Sequence, residues 1–280
     1  MSLFSQLFGA SRDNPGPALP PGYRLYAVGD VHGRDDLLGD LLAQIEADSV
    51  QRGRARLVVV FLGDLVDRGP SSRQVVERLR TYGPAGVRPV FLTGNHEEVL
   101  LRILDGEAKL IPDWLRFGGA ECLASYGVDA AELRRLPPAQ ALEALRSAIP
   151  ASHVEFIRGF DDTFRAGTYL FVHAGIRPGV PLEQQSRTDL RWIREPFLKD
   201  GSEHGFTVIH GHTIREQVEE RANRIGIDTG AYRSGVLTAL GLEGSERWYL
   251  QAKASDAPTR TPAWNGASSS ELDGVGSQSG

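Results

Sequence analysis

The chain has 280 residues, of which 41% are hydrophobic and 24% are charged, and its formal net charge at pH 7 is -5. These proportions are those of a folded globular protein, and the acidic excess argues against a general nucleic-acid binder, which needs clustered Lys and Arg. A single cysteine, Cys122, excludes an internal disulfide and a thiolate metal cage, and we expect it to be a small buried side chain.

The two ends of the chain differ in composition from its middle. Residues 14–22 contain four prolines and two glycines, so we predict a flexible N-terminal segment over residues 1–22 and a folded domain over residues 23–253. Residues 254–280 are rich in Ser, Gly, Ala and Pro, which predicts a disordered tail. No apolar run reaches the about 18 to 20 residues of a membrane-spanning helix, and the start lacks a secretory signal. We therefore expect a cytoplasmic protein, and we expect it to be a monomer.

The first half of the domain alternates short apolar runs with segments of helical periodicity. Apolar runs at residues 25–28, 57–62 and 90–93 predict strands, whereas residues 35–49 and 71–81 carry apolar side chains on one helical face. Such alternation is typical of a mostly parallel sheet that is packed by helices.

The middle of the domain has a helical pattern throughout. Residues 98–160 show helical spacing that is broken at Gly118-Gly119 and at Pro137-Pro138. We interpret this block as a helical insertion that caps one side of a functional site.

The second half of the domain predicts short strands, and we interpret the last three of them as an antiparallel meander. In chain order the predicted strands are residues 169–173, 207–210, 224–228, 236–242 and 248–252.

Polar clusters follow the three apolar runs of the first half. They are Gly29-Asp30-Val31-His32-Gly33, Gly63-Asp64-Leu65-Val66-Asp67-Arg68-Gly69 and Gly94-Asn95-His96-Glu97. Two further clusters end strands of the second half, at His173-Ala174-Gly175 and at His210-Gly211-His212-Thr213. Carboxylate, amide and imidazole groups are ligands of divalent cations, and one carboxylate can bridge two ions. The clusters therefore predict a two-metal hydrolytic site, with Asp64 as the candidate bridge.

All five clusters, in this order, resemble the motifs of the calcineurin-like metallophosphoesterases. The similarity spans residues 24–242 and is strongest to the phosphoprotein phosphatase branch, especially the small bacterial and phage serine/threonine phosphatases. The resemblance implies an α/β fold, a four-layer α/β/β/α sandwich of two mixed sheets that are flanked by helices.

The resemblance also implies a set of metal ligands. The first ion would be held by Asp30, His32 and Asp64, and the second by Asp64, Asn95, His173 and His212. The motif favours His212 as the ligand and leaves His210 as the alternative. Two divalent ions are expected, Mn²⁺ first, with Fe or Zn²⁺ also suited to nitrogen and oxygen ligands.

The remaining motif residues have roles that phosphoester hydrolysis requires. A metal-bound hydroxide would attack phosphorus directly, in line with the leaving group. His96 is the candidate general acid and Asp67 would orient it. Arg68 and Arg194 are the candidate phosphate-binding side chains, together with Asn95, and Arg191 is a lesser candidate.

For the substrate we predict phosphoserine and phosphothreonine in proteins. The alternative is a symmetrical diadenosine tetraphosphate hydrolase, whose nucleosides would need exposed stacking aromatic side chains; the candidates are Phe117, Tyr126 and Trp192. A non-catalytic phosphoprotein-binding relative is disfavoured, because binding alone would not need the acid His96. Phosphodiesterase activity on nucleic acid is disfavoured by the acidic charge balance.

Three other polar side chains have no predicted chemical role. We expect Glu97 to support the site or the start of a helix, since catalysis requires nothing further of it. His153 and His204 match no motif and are expected to be structural.

Overall fold

The computed structural model describes residues 18–254, so our predictions for residues 1–17 and 255–280 concern parts of the chain outside the described residues. The first described residues already pack against the folded domain. The backbone N–H of Ala18 donates to Oγ1 of Thr168 at 2.7 Å, and the side chain of Leu19 is buried among the strands.

The strands and helices alternate in the first half, as predicted. The strands are β1 (Tyr23–Val28), β2 (Arg56–Phe61), β3 (Val87–Phe91), β4 (Thr163–Ala166), β5 (Tyr169–Val172), β6 (Thr207–His210), β7 (Glu219–Glu220), β8 (Arg224–Gly226), β9 (Val236–Glu243) and β10 (Glu246–Lys253). The α-helices are α1 (Asp35–Gln51), α2 (Ser72–Arg80), α3 (Asn95–Leu104), α4 (Ile111–Trp114), α5 (Ala120–Ser125), α6 (Ala130–Leu133), α7 (Pro138–Ala148), α8 (Ala151–Arg158), α9 (Arg187–Trp192) and α10 (Ala231–Ser234). A π-helical turn covers Leu115–Gly119, and 3₁₀ turns cover Ala108–Leu110, Leu182–Gln184 and Phe197–Lys199.

The strands form two mixed five-stranded sheets. The first has the order β10-β9-β1-β2-β3, in which β1, β2 and β3 are parallel and β9 and β10 are antiparallel to their neighbours. The second has the order β4-β5-β6-β8-β7, in which β5, β6 and β8 are parallel. Sequence analysis did not predict two short strands, β4 with four residues and β7 with two. Segments this short show little alternation of apolar and polar side chains.

The predicted meander is wrong in one of its three strands. β9 and β10 form the expected hairpin, but β8 lies in the other sheet, parallel to β6. β8 has only three residues, Arg224, Ile225 and Gly226, which do not specify a partner strand, and the partner here lies upstream in the chain.

Alternate side chains of the strands enter different layers, as strand geometry requires. Leu25 and Ala27 of β1 pack between the two sheets, whereas Tyr26 and Val28 pack against the helices α1 and α2. The outer face of the second sheet packs against α9 and the 3₁₀ turn at Phe197–Lys199. The four-layer α/β/β/α sandwich is thereby confirmed.

The predicted helical insertion has an apolar core of its own. Its buried members include Trp114, Leu123 and Leu145, which pack with Leu100 and Ile103 of α3. Cys122 is fully buried in the same cluster, as expected. Among residues 18–254, no helix has the length and apolar character that crossing a membrane requires.

Candidate active site

The carboxyl ends of the parallel strands of both sheets meet at one place. The polar clusters follow β1, β2 and β3 in one sheet and β5 and β6 in the other. Backbone hydrogen bonds lock the first two loops together, because the Asp64 carbonyl accepts the N–H groups of Val31 at 3.1 Å and His32 at 2.8 Å. Within residues 18–254, every non-glycine residue with positive φ lies in these loops: His32, Asp64, Asp67, Arg68 and His212.

Two glycines permit the close approach of carboxylates to the backbone. A Cβ on Gly94 would lie 2.1 Å from Oδ1 of Asp64, and a Cβ on Gly211 would lie 2.0 Å from Oδ1 of Asp30. Any side chain at either position would displace a carboxylate of the site.

The first group of candidate metal ligands is His32, Asp64 and His96, whose ligand atoms lie within 4.8 Å of one another. Nδ1 of His32 is 2.8 Å from the Val66 carbonyl oxygen, so Nδ1 carries the proton and donates it. Nε2 of His32 then presents a lone pair at 3.4 Å from Oδ2 of Asp64, and it has no hydrogen-bond partner among the described residues.

The second group is Asp64, His173 and His212. Nδ1 of His173 lies 2.8 Å from the Leu62 carbonyl oxygen, which leaves its Nε2 as a lone pair, 3.5 Å from Oδ1 of Asp64. The same Nε2 lies 3.0 Å from Oδ1 of Asn95, and that oxygen lies 3.0 Å from Nδ1 of His212. Buried acceptor atoms that face one another repel each other unless a cation lies between them. The two groups of side chains are therefore suited to bind divalent metal ions.

Burial sets the charge state of these ligands. It lowers the pKa of His32, His173 and His212, so these imidazoles stay neutral, the form that binds metal. Burial alone raises the pKa of the Asp64 carboxyl, but the surrounding histidines outweigh it and hold that pKa below its usual range. An ionised Asp64 among neutral imidazoles is the charge pattern that a bridging ligand requires.

Asp30 lies in neither group, although it is buried at the same place. Both of its oxygens accept the backbone N–H of His212, at 3.2 and 3.0 Å. Burial, followed by the charges of Asp228 and Asp64, raises the pKa of Asp30 well above its usual value. Its assignment as a ligand stays a prediction, and a cation would relieve this concentration of carboxylates.

Asp228 is a further buried carboxylate, which sequence analysis missed. Its Oδ1 accepts the Gly230 N–H at 2.9 Å, and its Oδ2 has no hydrogen-bond partner in the described part of the chain. Burial raises the pKa of Asp228 to about 6. The signal was available, because Asp228 follows the end of β8 as the other clusters follow their strands.

His96 and Asp67 form a hydrogen-bonded pair beside the metal ligands. Nδ1 of His96 is 2.7 Å from Oδ2 of Asp67, and Nε2 of His96 is 4.0 Å from Oδ2 of Asp64. Both side chains are buried, so the pair is held in one orientation. The indole N–H of Trp114 also donates to Oδ2 of Asp67, at 2.9 Å, a contact that sequence analysis did not foresee.

The predicted phosphate-binding arginines occupy different surroundings. The charge of Arg194 adds to burial in lowering the pKa of His173 and His212, so Arg194 is near enough to act electrostatically on these two ligands. Arg68 lies over the ring of Tyr232, 5.0 Å from its centroid. Tyr232, also missed by sequence analysis, therefore lines the same edge.

The lesser candidate, Arg191, is held elsewhere. Its guanidinium bonds Asp162 at 2.6 to 2.7 Å and Glu98 at 3.2 Å. Glu98 also accepts the indole N–H of Trp192 at 3.3 Å. Arg191 thus links α9 to α3.

Glu97 supports the site through the backbone, as expected. Its two oxygens accept the N–H groups of Gly94, Asp64 and Leu65 at 2.7 to 2.9 Å. Burial and the neighbouring Asp64 charge raise the pKa of Glu97 to about 7. The carboxylate therefore joins the loop after β2 to the first turn of α3.

The other histidines lie outside the two ligand groups. His210 is buried with its ring 5.2 Å from that of Phe197, and His153 bonds the Tyr126 hydroxyl and Glu77. His204 lies 3.4 Å from Asp200. His153 and His204 thus contact other side chains of the fold, whereas Nε2 of His210 is buried with no hydrogen-bond partner among the described residues, so His210 remains the alternative ligand.

Known proteins similar to this chain include a serine/threonine protein phosphatase and symmetrical tetraphosphatases. Residues 23–234 match the family model for calcineurin-like phosphoesterases. Serine/threonine-protein phosphatase 1 of Salmonella typhimurium is 29% identical over 222 residues, which cover 76% of this chain and 89% of that protein. The symmetrical bis(5'-nucleosyl)-tetraphosphatase of Dechloromonas aromatica is 33% identical over 153 residues, which cover 55% of this chain and 44% of that protein.

The fold is also found among solved structures. A putative diadenosine tetraphosphatase superposes with a TM-score of 0.57 at 23% sequence identity, covering 84% of this chain and 98% of that one. The likeness at this identity concerns the fold alone. The family match over residues 23–234 shows that the chain belongs to the calcineurin-like phosphoesterases and is a metallophosphoesterase hydrolase.

Proposed function

We propose that the protein is a serine/threonine protein phosphatase that hydrolyses phosphomonoesters with two divalent metal ions bound. The observation that carries this proposal is the pair of His96 and Asp67, with Nδ1 of His96 2.7 Å from Oδ2 of Asp67. The alkoxide that leaves phosphoserine or phosphothreonine is strongly basic and needs a proton. A buried imidazole, oriented by a carboxylate and beside the metal ligands, suits that need.

The metal ions would be held by the residues that the motifs predict. Asp30, His32 and Asp64 are proposed for the first ion, and Asp64 also for the second. The other ligands proposed for the second ion are Asn95, His173 and His212. Manganese is proposed first, and iron or zinc would suit the same donors. When bound, the ions supply an activated water and neutralise charge on the phosphoryl group.

The protein's own groups act on the substrate at defined atoms. Arg68 and Arg194 would bind the phosphoryl oxygens with their guanidinium groups, with the Asn95 side chain beside them. Nε2 of His96 would donate its proton to the leaving oxygen, while Asp67 holds the proton on Nδ1. The two arginines thereby position the phosphorus between the metal ligands and the acid.

The similar proteins support the substrate class. The relative named as a serine/threonine phosphatase matches this chain over 89% of its own length. We further propose that the catalytic domain spans residues 23–253, with residues 98–160 as its insertion, and that it acts on phosphoproteins in the cytoplasm as a monomer.

The second candidate function is hydrolysis of symmetrical dinucleoside tetraphosphates. A relative with that name is 33% identical over 153 residues, but these cover less than half of it, 44%. Two nucleosides would need aromatic platforms. Tyr126 is buried and its hydroxyl bonds His153 at 2.9 Å, so it is not available for stacking. Phe117 and Trp192 are half-buried, and the Trp192 N–H is bound to Glu98.

A comparison of substrates tests the proposed function. We would measure kcat/KM of the Mn²⁺-loaded protein on phosphoseryl, phosphothreonyl and phosphotyrosyl peptides and on diadenosine tetraphosphate. The expected result is faster turnover of the phosphoseryl and phosphothreonyl peptides than of the dinucleotide. Faster turnover of diadenosine tetraphosphate would overturn the proposal in favour of the second candidate.

A further inference from the structure

The helical insertion makes a direct contact with the proposed acid pair. Nε1 of Trp114 donates to Oδ2 of Asp67 at 2.9 Å, and the same oxygen is 2.7 Å from Nδ1 of His96. Trp114 and Asp67 are buried, at 2% and 0% exposure, so water does not compete for this bond. One carboxylate oxygen therefore accepts two N–H groups, one from the acid and one from the insertion.

The insertion also contacts the residue after Asp67. The backbone N–H of Arg68 donates to the Gly118 carbonyl at 3.0 Å. Gly118 has a φ of +117°, and a Cβ there would lie 2.6 Å from the Arg68 backbone nitrogen. A Cβ on the next residue, Gly119, would lie 2.4 Å from the Trp114 ring. The kinked turn thus packs tightly on both Trp114 and Arg68.

The segment that receives these contacts is conformationally strained. Asp67 and Arg68 have φ values of 70° and 68°, in the left-handed region that is unfavourable for non-glycine residues. Such conformations persist when surrounding contacts hold them. Besides the insertion, Oγ of Ser72 accepts the Asp67 N–H at 3.0 Å. The insertion supplies the Trp114 bond to the Asp67 side chain and the Gly118 bond to the Arg68 backbone.

We propose that Trp114 is a positioning residue for proton delivery: its indole N–H holds the Asp67 carboxylate in the orientation that directs Nε2 of His96 towards the leaving group. The insertion is then part of the catalytic apparatus and more than a cap. Small rotations of an acid reduce its efficiency, because proton transfer requires close alignment. This inference rests on the proposed phosphomonoester hydrolysis with His96 as acid.

The test removes the N–H of Trp114 and keeps the shape of its side chain. Trp114 is replaced by 3-benzothienylalanine, in which sulfur takes the place of the N–H, and Trp114→Phe is the second variant. We expect kcat on a phosphoseryl peptide to fall roughly 10-fold, the value of one hydrogen bond to a charged group. On 4-nitrophenyl phosphate kcat should fall less than about 2-fold, because this leaving group departs without a proton. KM should be unchanged on both substrates.

A second tryptophan in the chain provides a matched control. The indole N–H of Trp248 donates to Oδ2 of Asp48 at 3.0 Å, in β10 and away from the ligand groups. Trp248→Phe removes the same kind of bond, and we expect kcat on both substrates to match the wild type. Equal losses on both substrates for the Trp114 variants, or no loss on the phosphoseryl peptide, would overturn the role assigned to Trp114.

A spectroscopic measurement separates this inference from the proposed function. In the Zn²⁺-loaded protein with ¹⁵N-labelled histidine, the Nδ1–H signal of His96 should shift and exchange faster with water when the Trp114 N–H is removed. Trp248→Phe should leave it unchanged. An unchanged His96 signal in the Trp114 variants contradicts the inference whatever the substrate, whereas failure of the wild type to hydrolyse phosphopeptides contradicts the proposed function.

Discussion

The active-site loops and the helical insertion are built in opposite ways. The loops bury Asp30, Asp64 and neutral histidines, and they contain the non-glycine residues of positive φ found within residues 18–254. The insertion is made of helices, interrupted by the π-helical turn at Leu115–Gly119, around an apolar cluster that includes Leu123 and Leu145. Strain and buried charge cost stability, whereas apolar burial supplies it.

The two regions meet at Asp67 and Arg68, through Trp114 and Gly118. The active-site loops therefore do not maintain their geometry on their own. The loops hold the metal ligands and the acid in conformations that isolated loops would not keep. Contacts with well-packed neighbouring elements maintain these conformations. Substitutions in the loops should therefore affect function first, and substitutions in the insertion at sites other than Trp114 should affect stability first.

The largest effect is expected at the centre of the loops, for Asp64→Asn. Loss of the shared carboxylate removes charge from both ligand groups, so kcat/KM on a phosphoseryl peptide should fall at least about 1,000-fold. Calorimetric titration should show weakened Mn²⁺ binding, while the thermal midpoint of the metal-free protein changes little. Asp48→Asn, which alters a carboxylate that accepts the Trp248 N–H, is the control. Wild-type turnover by Asp64→Asn would refute the shared-ligand role.

For Leu145→Ala, in the insertion, we expect the opposite result: a large loss of stability and little loss of activity. Leu145 is fully buried, so its truncation should lower the free energy of unfolding by about 2 to 5 kcal/mol, measured by denaturant titration. Well below the melting temperature, kcat of the folded variant should stay close to that of the wild type. A loss of kcat as large as that of a ligand variant, without loss of stability, would erase the distinction between the two regions.

A smaller effect is expected from the arginines. Arg194→Ala should reduce kcat/KM on phosphoserine roughly 100-fold, the loss typical of one donor to the transition-state charge. Arg191→Ala is the matched variant, because Arg191 is bound to Asp162 and Glu98. We expect Arg191→Ala to lower kcat/KM by a smaller factor than Arg194→Ala does. A greater catalytic loss from Arg191→Ala would exchange the roles of the two residues.

The smallest effect concerns pH. Burial lowers the pKa of His153 below its unfolded value of about 6.5. The unfolded chain then binds more protons below that pH, so His153 contributes stability above pH 6.5 that is lost as pH falls. His153→Gln should flatten the decline in unfolding free energy below pH 6.5, by at most about 1.4 kcal/mol per pH unit.

The histidines of the site allow this pH effect to be assigned. Their pKa values are lowered too, but bound metal would hold them unprotonated, so chelation should change their share of the slope and leave that of His153 unaltered. The Glu77 carboxyl that bonds His153 has its pKa lowered to about 2, chiefly by the Arg80 hydrogen bond, and titrates in a lower window. An unchanged slope in His153→Gln would show that its protonation is not linked to folding.

The sequence predicted polar clusters at the ends of strands, and the structure brings side chains of these clusters together, because the signal for each cluster is local. Each predicted cluster follows an apolar run, and parallel strands bring such ends to one edge. The glycines mark where backbone and carboxylate approach closely, as at Gly94 and Gly211. The helix limits of α1 and α2 follow from apolar periodicity in the same way.

The remainder depends on contacts between distant parts of the chain. β8 was assigned to the wrong sheet, because a strand of three residues does not encode its partner. The bond between Trp114 and Asp67 joins residues 47 positions apart, and the helical pattern around Trp114 shows only that the side chain is buried. Asp228 was missed because it follows β8 as a single carboxylate, with no histidine or arginine beside it in the sequence.

The most direct measurement of the central claim is the metal content of the active protein. We would determine metal by elemental analysis alongside turnover of a phosphoseryl peptide, before chelation, after chelation and after adding Mn²⁺ back. The account predicts two ions per chain, loss of turnover on chelation and recovery with metal. Undiminished turnover in protein stripped of metal would contradict it.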